Sequence, residues 1–558
     1  MMTPDQAKLL LTSLLNRIAS DRARYLGLVS DQEIEALSAF SAAPAQSPIA
    51  PAESKSVPQL PPLDAQPQVA LQSVGAAIGN PDVVLCIDFG TAKSKAFAAR
   101  DTGEGDPDLF DLGIGVKDGD IDGAVFSAAS ALWISDGGRI FVGSEAIRQS
   151  EIPGLEGRAR IDSIKQFLSQ SSSPLEVSAT RLSAEEDPFR SGLTREHALL
   201  LYLGYLTDLS GTCLGDRSLS RLVPRRFALP CWRDEQRAWA ADYLAGLVAR
   251  AQIVADTFRG RWQAGLGIRE AIYVCDATKE HEGTLRVLID AEPDLDLKYV
   301  GRWGGILEPI ASASARVHAD RKVDRRLMLV VDIGAGTTDV AMFWLVQDEK
   351  GHRAFPVSGT TTAMRIAGDH LDQILLKLLL DKGNVEERMR QSAERKLKLE
   401  GLRRIKELLF RSGSVTVRMP NNDALVSVTL TEFEAHPDVI RFREQLSGLV
   451  ASVIKGLHPS WAPHAERITL VLSGGGAALP AALDLANLEI PIGDRIGRFR
   501  LAPSKPDGIS PELADEYPRL AVAFGGAIST ISERSSLFEC PAGSPAHGQL
   551  ERSQNRGI

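Results

Sequence analysis

Residues 329–340 read LVVDIGAGTTDV, which is the pattern of a β-hairpin: an apolar run, a glycine turn and the start of a second apolar run. Gly334 and Gly336 lie in the turn, where small residues expose successive backbone N–H groups and form a concave site for anionic oxygens. Asp332 lies where the first strand meets the turn, so its carboxylate is placed to hold a metal ion on bound phosphates. Magnesium usually takes only one or two protein carboxylates, so one aspartate per hairpin is sufficient. The stretch predicts a phosphate-binding hairpin, and the alternative is an ordinary tight hairpin with a capping aspartate.

Two further stretches strengthen the phosphate-binding interpretation. Residues 83–100 read VVLCIDFGTAKSKAFAAR and repeat the hairpin pattern. Asp88, Gly90 and Thr91 lie at its turn, which suggests a duplicated unit. Residues 468–480 read ITLVLSGGGAALP, a buried-type strand that ends in three glycines before a predicted helix. Because such a junction lets the sugar and base of a nucleotide lie against bare backbone, we expect the three stretches to build one nucleotide site.

Together these stretches resemble the ATPase fold shared by actin, sugar kinases and the seventy-kilodalton heat-shock chaperones, the DnaK-like family. In that fold two hairpins grip the phosphates from opposite lobes, and the glycine strand end supports the adenosine. Residues 306–315 (ILEPIASASA) and 520–528 (LAVAFGGAI) resemble the two connecting helices of the family. Residues 227–236 (FALPCWRDEQ) resemble the strand that precedes a helix in its chaperones, and the Glu-Pro pair of the first connector favours the chaperone branch. The resemblance covers residues 83–528 and implies an α/β, two-lobed actin-like ATPase fold: duplicated mixed-sheet domains with a nucleotide cleft.

The resemblance implies ATP and Mg²⁺ as ligands and gives roles to single residues. Asp88 and Asp332 would hold Mg²⁺ through water. Thr91 and Thr337 would contact the phosphates. Glu308 would orient the metal-bound water near the attacking water, and the alternative is a first-turn residue that only complements the helix dipole. The implied catalytic residues are Glu308, Asp332, Asp88 and Thr337; the implied nucleotide-binding residues are Gly90, Thr91, Ala92, Lys93, Gly334, Ala335, Gly336, Thr337, Thr338, Gly368, Lys406, Gly474, Gly475, Gly476 and Ala478.

Some positions depart from the chaperone pattern. Residues 386–410 are predicted to form one long charged helix, in which Lys406 matches a lysine that reaches the ribose; the alternative is an exposed helix lysine in an i,i+4 pair. Ile147 stands where the family has a lysine that assists hydrolysis, and Ala478 stands where it has an arginine that stacks on adenine. Because a positioned cation near the γ-phosphate stabilises the transition state, its loss predicts slow hydrolysis.

The composition sets bounds on the protein class. With 558 residues the chain exceeds one compact core, so two lobes and accessory segments are expected. A net charge of -9 argues against a surface for nucleic acid. No run reaches the roughly 20 apolar residues needed to span a bilayer, so we expect no membrane association. The cysteines are scattered without a C-x-x-C pair, which favours a cytoplasmic protein without a structural metal.

We divide the chain into an N-terminal helical segment (1–41), a Pro-, Ala- and Gln-rich disordered linker (42–80), ATPase lobe I (81–325, with 516–534 returning to it), lobe II (326–515) and a disordered tail (535–558). The N-terminal helices are expected either to dock on the ATPase or to bind a partner protein that the sequence does not identify. Since only the tail follows, no peptide-binding β-sandwich is expected.

The leading interpretation is a chaperone-family ATPase that hydrolyses ATP slowly and acts as an ATP-gated conformational switch for a partner protein. The alternatives are an actin-like filament-forming protein and a catalytically weak pseudo-ATPase scaffold. A small-molecule kinase ranks last because no base aspartate facing a sugar site is evident.

Overall fold

The computed structural model describes residues 58–60, 67–102, 107–119, 125–151, 158–232, 234–290, 305–319, 326–348, 351–399, 401–420, 423–503, 510–514 and 516–528. It is a mixed α/β structure, and Gln59–Ile558 form one compact unit to which all features below belong. The predicted N-terminal helices (1–41) and the predicted tail (535–558) lie outside the described residues.

The described secondary structure alternates between strands and helices. The strands are β1 (Val83–Asp88), β2 (Lys93–Arg100), β3 (Asp108–Asp111), β4 (Ser127–Ala129), β5 (Leu132–Ile134), β6 (Arg139–Val142), β7 (Arg225–Leu229), β8 (Leu266–Gly267), β9 (Gly305–Leu307), β10 (Arg326–Ile333), β11 (Thr338–Asp348), β12 (Gly351–Pro356), β13 (Thr362–Met364), β14 (Ser414–Arg418), β15 (Leu425–Thr429), β16 (Ile468–Ser473), β17 (Glu489–Ile492) and β18 (Arg495–Leu501). The helices are α1 (Ile114–Asp118), α2 (Ser144–Ser150), α3 (Gln166–Gln170), α4 (Pro174–Ala179), α5 (Arg195–Asp216), α6 (Asp234–Phe258), α7 (Ile268–Ala277), α8 (Glu282–Leu285), α9 (Val287–Asp290), α10 (Glu308–Ala319), α11 (Gly368–Lys382), α12 (Glu387–Leu399), α13 (Leu402–Ser412), α14 (Leu430–Glu434), α15 (Pro437–Lys455), α16 (Pro480–Leu483), α17 (Pro511–Ala514) and α18 (Tyr517–Ile528).

Two large mixed sheets share one strand arrangement. The first sheet has the order β3-β2-β1-β7-β9, with β4 paired to β2. The second has the order β12-β11-β10-β16-β18-β17, with β13 paired to β11. In each sheet an antiparallel hairpin (β1–β2 or β10–β11) is followed by parallel strands. The two hairpins recognised in the sequence therefore occupy equivalent places in the two sheets.

The apolar runs of the two hairpins are buried on both faces of their sheets. In β1, Val83, Leu85 and Ile87 face the core formed with α5 and α6, while Cys86 faces α18. In β10, Leu329 packs with α11 and α15 on one face, and the neighbouring residues pack on α10 on the other. Central strands that are covered on both faces read as continuous apolar runs, which is the pattern of the sequence.

The helices α10 and α18 lie between the two sheets, where the sequence predicts the two connectors. Helix α10 packs on the second sheet and α18 on the first. The two helices contact each other so closely that a Cβ added at Gly525 would lie 1.7 Å from the carbonyl oxygen of Ala311. Only glycine allows this approach of two backbones.

Two predictions about the periphery need correction. The segment predicted as one helix over 386–410 is broken into α12 and α13 at Gly401, whose φ is +91°. The predicted linker (42–80) is packed in its last part, because the Ala70 N–H donates to Thr257 Oγ1 at 3.0 Å and Ser73 donates to Asp256 of α6. The composition of residues 67–80 is polar and small, which is typical of a linker, but Ala70 and Ser73 bond to α6 and the Gly79 N–H donates to the Leu222 carbonyl oxygen. None of the described helices has the length and apolar character required to cross a membrane.

Candidate functional site

The turns of the two hairpins meet each other. A Cβ added at Gly336 of the second turn would lie 2.9 Å from Thr91 Oγ1 of the first. Asp88 and Asp332, at the strand ends that lead into these turns, are 5% and 4% exposed. The charge of Asp88 contributes to the raised pKa of Asp332, as expected for two carboxylates that share one buried region. The structure thus brings together two stretches that are more than 200 residues apart in sequence.

Each turn is closed by a hydrogen bond within its own hairpin. In the first, the Gly90 N–H donates to Ser94 Oγ at 3.2 Å, and a Cβ at Gly90 would lie 2.1 Å from the Lys93 carbonyl oxygen. In the second, the Gly334 N–H donates to the Thr337 carbonyl oxygen at 2.9 Å. Both turns therefore keep the compact backbone that phosphate oxygens require, and a side chain at Gly90 would disrupt the first.

The residues opposite the two aspartates differ in charge. The strand register pairs Asp88 with Lys95 in the first hairpin and Asp332 with Asp339 in the second. Lys95 Nζ forms an ion pair with Asp88 Oδ2 at 3.0 Å. The first aspartate is therefore neutralised by its cross-strand neighbour, whereas the second lies opposite another carboxylate.

Burial and repulsion between carboxylates raise the pKa values of Asp332 and Asp339. Burial, followed by the charges of Glu308, Asp339 and Asp88, raises the pKa of Asp332 to about 8. Burial and the Glu308 charge raise the pKa of Asp339 to about 7. Asp332 Oδ1 and Asp339 Oδ2 are buried without a hydrogen-bond partner among the described residues. Buried carboxylate oxygens without donors are suited to a cation, which would supply the missing counter-charge.

A cation at this place would be held through water. Within the described ranges, no three His, Cys, Asp or Glu side chains come close enough to ligate one metal ion directly. Magnesium usually keeps several of its waters and uses one or two carboxylates, so the donor set fits a hydrated Mg²⁺ at Asp332, with Asp339 beside it. Asp88, the second implied ligand, is already paired with Lys95.

Glu308 and Lys165 form a buried ion pair in the same region. Lys165 Nζ lies 2.5 Å from Glu308 Oε1, and both side chains are less than 10% exposed. Burial opposes the Lys165 charge, but Glu308, Asp88 and Asp339 outweigh it, so the net pKa of Lys165 is raised. Lys165 is therefore a permanent cation among the carboxylates. Glu308 does more than complement the dipole of α10, because its carboxylate lies against this lysine.

The sequence analysis did not identify Lys165. It noted only that Ile147 stands where the chaperone family has a lysine. Ile147 is half-buried against a small apolar cluster, and Lys165 lies 18 residues further along the chain, just before α3. A signal was present, because the lysine lies between Ile164 and Leu168, which are both fully buried. A lysine among buried apolar residues indicates a buried ion pair.

The glycine end of β16 adjoins the second hairpin. Parallel pairing places Ser473 beside Asp332, and the Gly476 N–H donates to the Ile333 carbonyl oxygen at 2.9 Å. Gly474 has a φ of +81°, and its added Cβ would lie 2.4 Å from the same oxygen. Gly475 has no heavy atom within 4 Å of such a Cβ, and Ala478 is exposed. The strand end therefore presents bare backbone at the edge of the sheet where Asp332 lies.

Helices α11 and α13 complete this side of the site. The Gly368 N–H donates to the Gly334 carbonyl oxygen at 3.1 Å, and Lys406 Nζ donates to the Gly368 carbonyl oxygen at 2.7 Å. Lys406 also forms an ion pair with Asp372 at 2.8 Å. The alternative interpretation of Lys406 as an exposed helix lysine is wrong, because the residue is 9% exposed and its partners lie in α11.

Three other residues implied by the resemblance make hydrogen bonds within the fold. The Ala335 carbonyl oxygen accepts from the Asp369 N–H, and Thr338 Oγ1 donates to the Ile366 carbonyl oxygen. The Ala92 carbonyl oxygen accepts from the Ser130 N–H.

A cavity of about 590 Å³ opens beside the first turn. It is lined on one side by Ala92, Lys93 and Ile147, and on the other by residues of α11 and α13 such as Asp369 and Arg403. Its volume lies in the range of small-molecule sites. The cavity is large enough for a nucleoside beside the first turn, but its lining includes no residue of the second turn or of the glycine end of β16.

No protein-family model matches the chain.

Proposed function

We propose that the chain binds ATP with Mg²⁺ between its two hairpins and hydrolyses it slowly, as a two-lobed actin-like ATPase related to the DnaK-like chaperones. The observation that carries this proposal is the meeting of the two glycine turns above a buried cluster of Asp88, Asp332, Glu308 and Lys165. Two equivalent sheets, joined through α10 and α18, would form the two lobes.

The chain's own groups account for the expected steps. The Gly90 and Gly334 N–H groups close their own turns, so other backbone N–H groups of the two turns would hold phosphate oxygens. The cavity beside the first turn would hold the nucleoside. The Lys165 ammonium would stabilise charge that develops on the transferred phosphoryl group. Glu308 orients that ammonium and would orient the attacking water. Bound Mg²⁺ would neutralise phosphate charge from the side of Asp332.

The cleft is also bridged by direct contacts, which supports a role as a conformational switch. Asp369 at the start of α11 accepts a hydrogen bond from Gln166 of α3 across the cleft at 2.9 Å, and Arg403, on the same side as Asp369, also donates to it at 2.9 Å. Arg395 forms an ion pair with Glu185 across the same cleft. Nucleotide binding would tighten this closure and nucleotide release would loosen it, and a partner protein that prefers one state would respond to it.

A pseudo-ATPase is the second candidate, favoured by one observation. Lys165 is held by Glu308 at 2.5 Å, so turnover requires that this pair yields the ammonium to the phosphate. A pair that stays closed would leave a nucleotide-binding scaffold without catalysis.

Calorimetric titration with ATP and Mg²⁺, followed by single-turnover hydrolysis, tests the proposal. We expect the wild type to bind ATP, and Glu308→Gln and Lys165→Met to bind it but hydrolyse it about 10²-fold more slowly, the usual cost of a lost transition-state contact. Lys455→Met, an exposed lysine at the end of α15, is the matched control. A wild type that binds ATP but turns over no faster than the variants would establish the pseudo-ATPase, and absence of ATP binding would refute both.

A further inference from the structure

A second cavity, of about 460 Å³, lies on the outer side of the segment that carries Lys165. Its walls are residues 160–170, the loop 181–186 and Arg195 at the start of α5. It shares Arg160, Asp162, Ser163 and Gln166 with the cavity beside the first turn, whereas Phe167, Arg181, Leu182 and Arg195 line this cavity alone. The two cavities therefore adjoin each other along the segment 160–166 and differ in the rest of their lining.

Some of the charged side chains that line this cavity have no oppositely charged side chain in an ion pair. Arg160 is neutralised by Asp162, to which its Nε and Nη2 donate at 2.5 and 3.2 Å. The carboxylate of Glu186 accepts the Ser183 N–H at 2.8 Å. Neither Arg181 nor Arg195 forms an ion pair with any described carboxylate. The lining therefore carries three arginines and two acids, and Arg181 and Arg195 have no carboxylate in an ion pair among the described residues.

The two arginines differ in how they are held. Arg195 is half-buried: its guanidinium lies over the Phe167 ring at 5.2 Å from the centroid, and Nη1 lies at a long 3.4 Å from Ser171 Oγ. The half-buried Glu176 is near enough for the Arg195 charge to add to the Ser172 hydrogen bonds that lower the pKa of Glu176. Arg181 is exposed at the rim of the cavity. One arginine is thus oriented before binding, and the other is free to close on a ligand.

The cavity also has an apolar wall. Phe167 and Leu182 line it beside the arginines, and its volume far exceeds that of a free phosphate ion. Guanidinium groups pair well with phosphate and carboxylate oxygens because the fork of N–H donors matches their geometry. An aromatic and an aliphatic side chain next to such a fork suit the organic body to which the anionic group is attached.

We propose that this cavity is a binding site for a small organic anion, with a phosphate or carboxylate group on Arg181 and Arg195 and an apolar body against Phe167 and Leu182. The proposal does not depend on ATP hydrolysis. The ligand would rest on Ser163 and Gln166, next to the segment that holds Lys165.

Titration calorimetry of the full chain with phenyl phosphate, benzoate and inorganic phosphate tests this proposal. Saturating Mg²⁺ and ADP are present, so that the cleft is filled. We expect phenyl phosphate or benzoate to bind at least about fivefold more tightly than inorganic phosphate, since only the former two reach the apolar wall. Whichever of the two binds more tightly identifies the anionic group as phosphate or carboxylate.

Variants locate the binding. Arg181→Ala and Arg195→Ala should each weaken it at least about fivefold, while Arg418→Ala, a 72% exposed arginine on β14, should leave it unchanged. Arg181 is exposed, so its variant is expected to fold. Binding that is insensitive to both cavity variants, or no tighter for the aromatic anions than for inorganic phosphate, would overturn the proposal. Should the chain fail to bind ADP, the comparison of the arginine variants still decides it.

Discussion

At the residue scale, the most informative contrast is the pair of positions opposite the two turn aspartates. Lys95 faces Asp88 and Asp339 faces Asp332, although the hairpins have the same register and the same place in their sheets. One hairpin therefore carries its own counter-ion, and the other depends on a proton or a bound cation. The second hairpin leads to two predictions about protons, and the Lys95–Asp88 pair of the first leads to one about charge.

Asp332 should make the unliganded protein less stable as the pH rises. Its pKa is raised from 3.8 to about 8 in the folded state, so its stabilising contribution is complete below pH 4 and is lost as the pH rises to 8. In Asp332→Asn this loss is absent. Without Mg²⁺, the free energy of unfolding of the variant relative to wild type should therefore increase by at least about 1 kcal/mol between pH 5 and pH 8.

Urea denaturation at both pH values measures this change. Asp423→Asn, at an 84% exposed side chain, is the control and should show no such trend. A pH-independent difference between Asp332→Asn and wild type would contradict the raised pKa.

Cation binding should release protons from the same pair. At pH 7 Asp332 holds a proton in the unliganded protein, and a bound cation favours its ionised form. Titration of Mg²⁺ and ATP in buffers of different ionisation enthalpy should show the release of about one proton per site at pH 7. The release should disappear in Asp332→Asn; equal heats in all buffers for the wild type would refute it.

Lys95 is expected to limit the affinity for Mg²⁺. Lys95→Met leaves the Asp88 carboxylate without its 3.0 Å partner, so the region becomes more negative. The apparent Kd for Mg²⁺ in the presence of ATP should fall about three- to tenfold, as one added charge interaction allows. Lys455→Met serves as the control, and an unchanged or increased Kd in Lys95→Met would contradict this view.

At the element scale, the short contacts between α3 and α11 should set the rate of nucleotide release. Asp369→Ala removes the acceptor of Gln166 and Arg403, so the cleft should open more easily. Dissociation of a fluorescent ATP analogue, followed by stopped flow, should become about three- to tenfold faster, as expected when roughly 1 kcal/mol of hydrogen bonding is lost. Asp381→Ala lies on the same helix but pairs with Arg390 on the surface, so it should not change the rate. Equal rates for both variants would rule out the contact as a restraint.

The elements that were predictable from the sequence are those with a local signal. The hairpins of residues 83–100 and 329–340, the glycine strand end and the helices α10 and α18 are each specified by apolar runs and small residues in a short window. The break at Gly401 was missed because a single glycine is tolerated in a helical pattern, and only its φ of +91° reveals the end of α12.

The parts that sequence reasoning missed depend on tertiary packing. Lys165 reaches Glu308 across 143 residues, and no local pattern gives that distance. Asp339 follows the turn as an ordinary polar residue, and its raised pKa arises only when burial and Glu308 act together. Residues 67–80 read as linker, and the acceptor at Asp256 that packs them belongs to a helix nearly 200 residues later.

At the scale of the whole molecule, the crossing of α10 and α18 should be intolerant of any side chain. In Gly525→Ala the new methyl group would meet the Ala311 carbonyl oxygen at 1.7 Å, so the helices must separate, at a cost of about 3 kcal/mol. Gly448→Ala is the matched control: it is a helical glycine of α15 with nothing within 4 Å, and it should be neutral or stabilising by up to about 1 kcal/mol. Thermal unfolding of both variants measures the difference, and similar melting temperatures would contradict the tight crossing.

The same crossing has a mechanical consequence. Where two backbones touch without intervening side chains, sliding of one helix along the other is restricted, because Val522, one turn before Gly525 in α18, packs its side chain against α10. A rotation about the point of contact would keep Gly525 at Ala311. We therefore expect any change in the angle between the two sheets to be a rotation about this contact. A small rotation there would produce a larger displacement at the residues farthest from it.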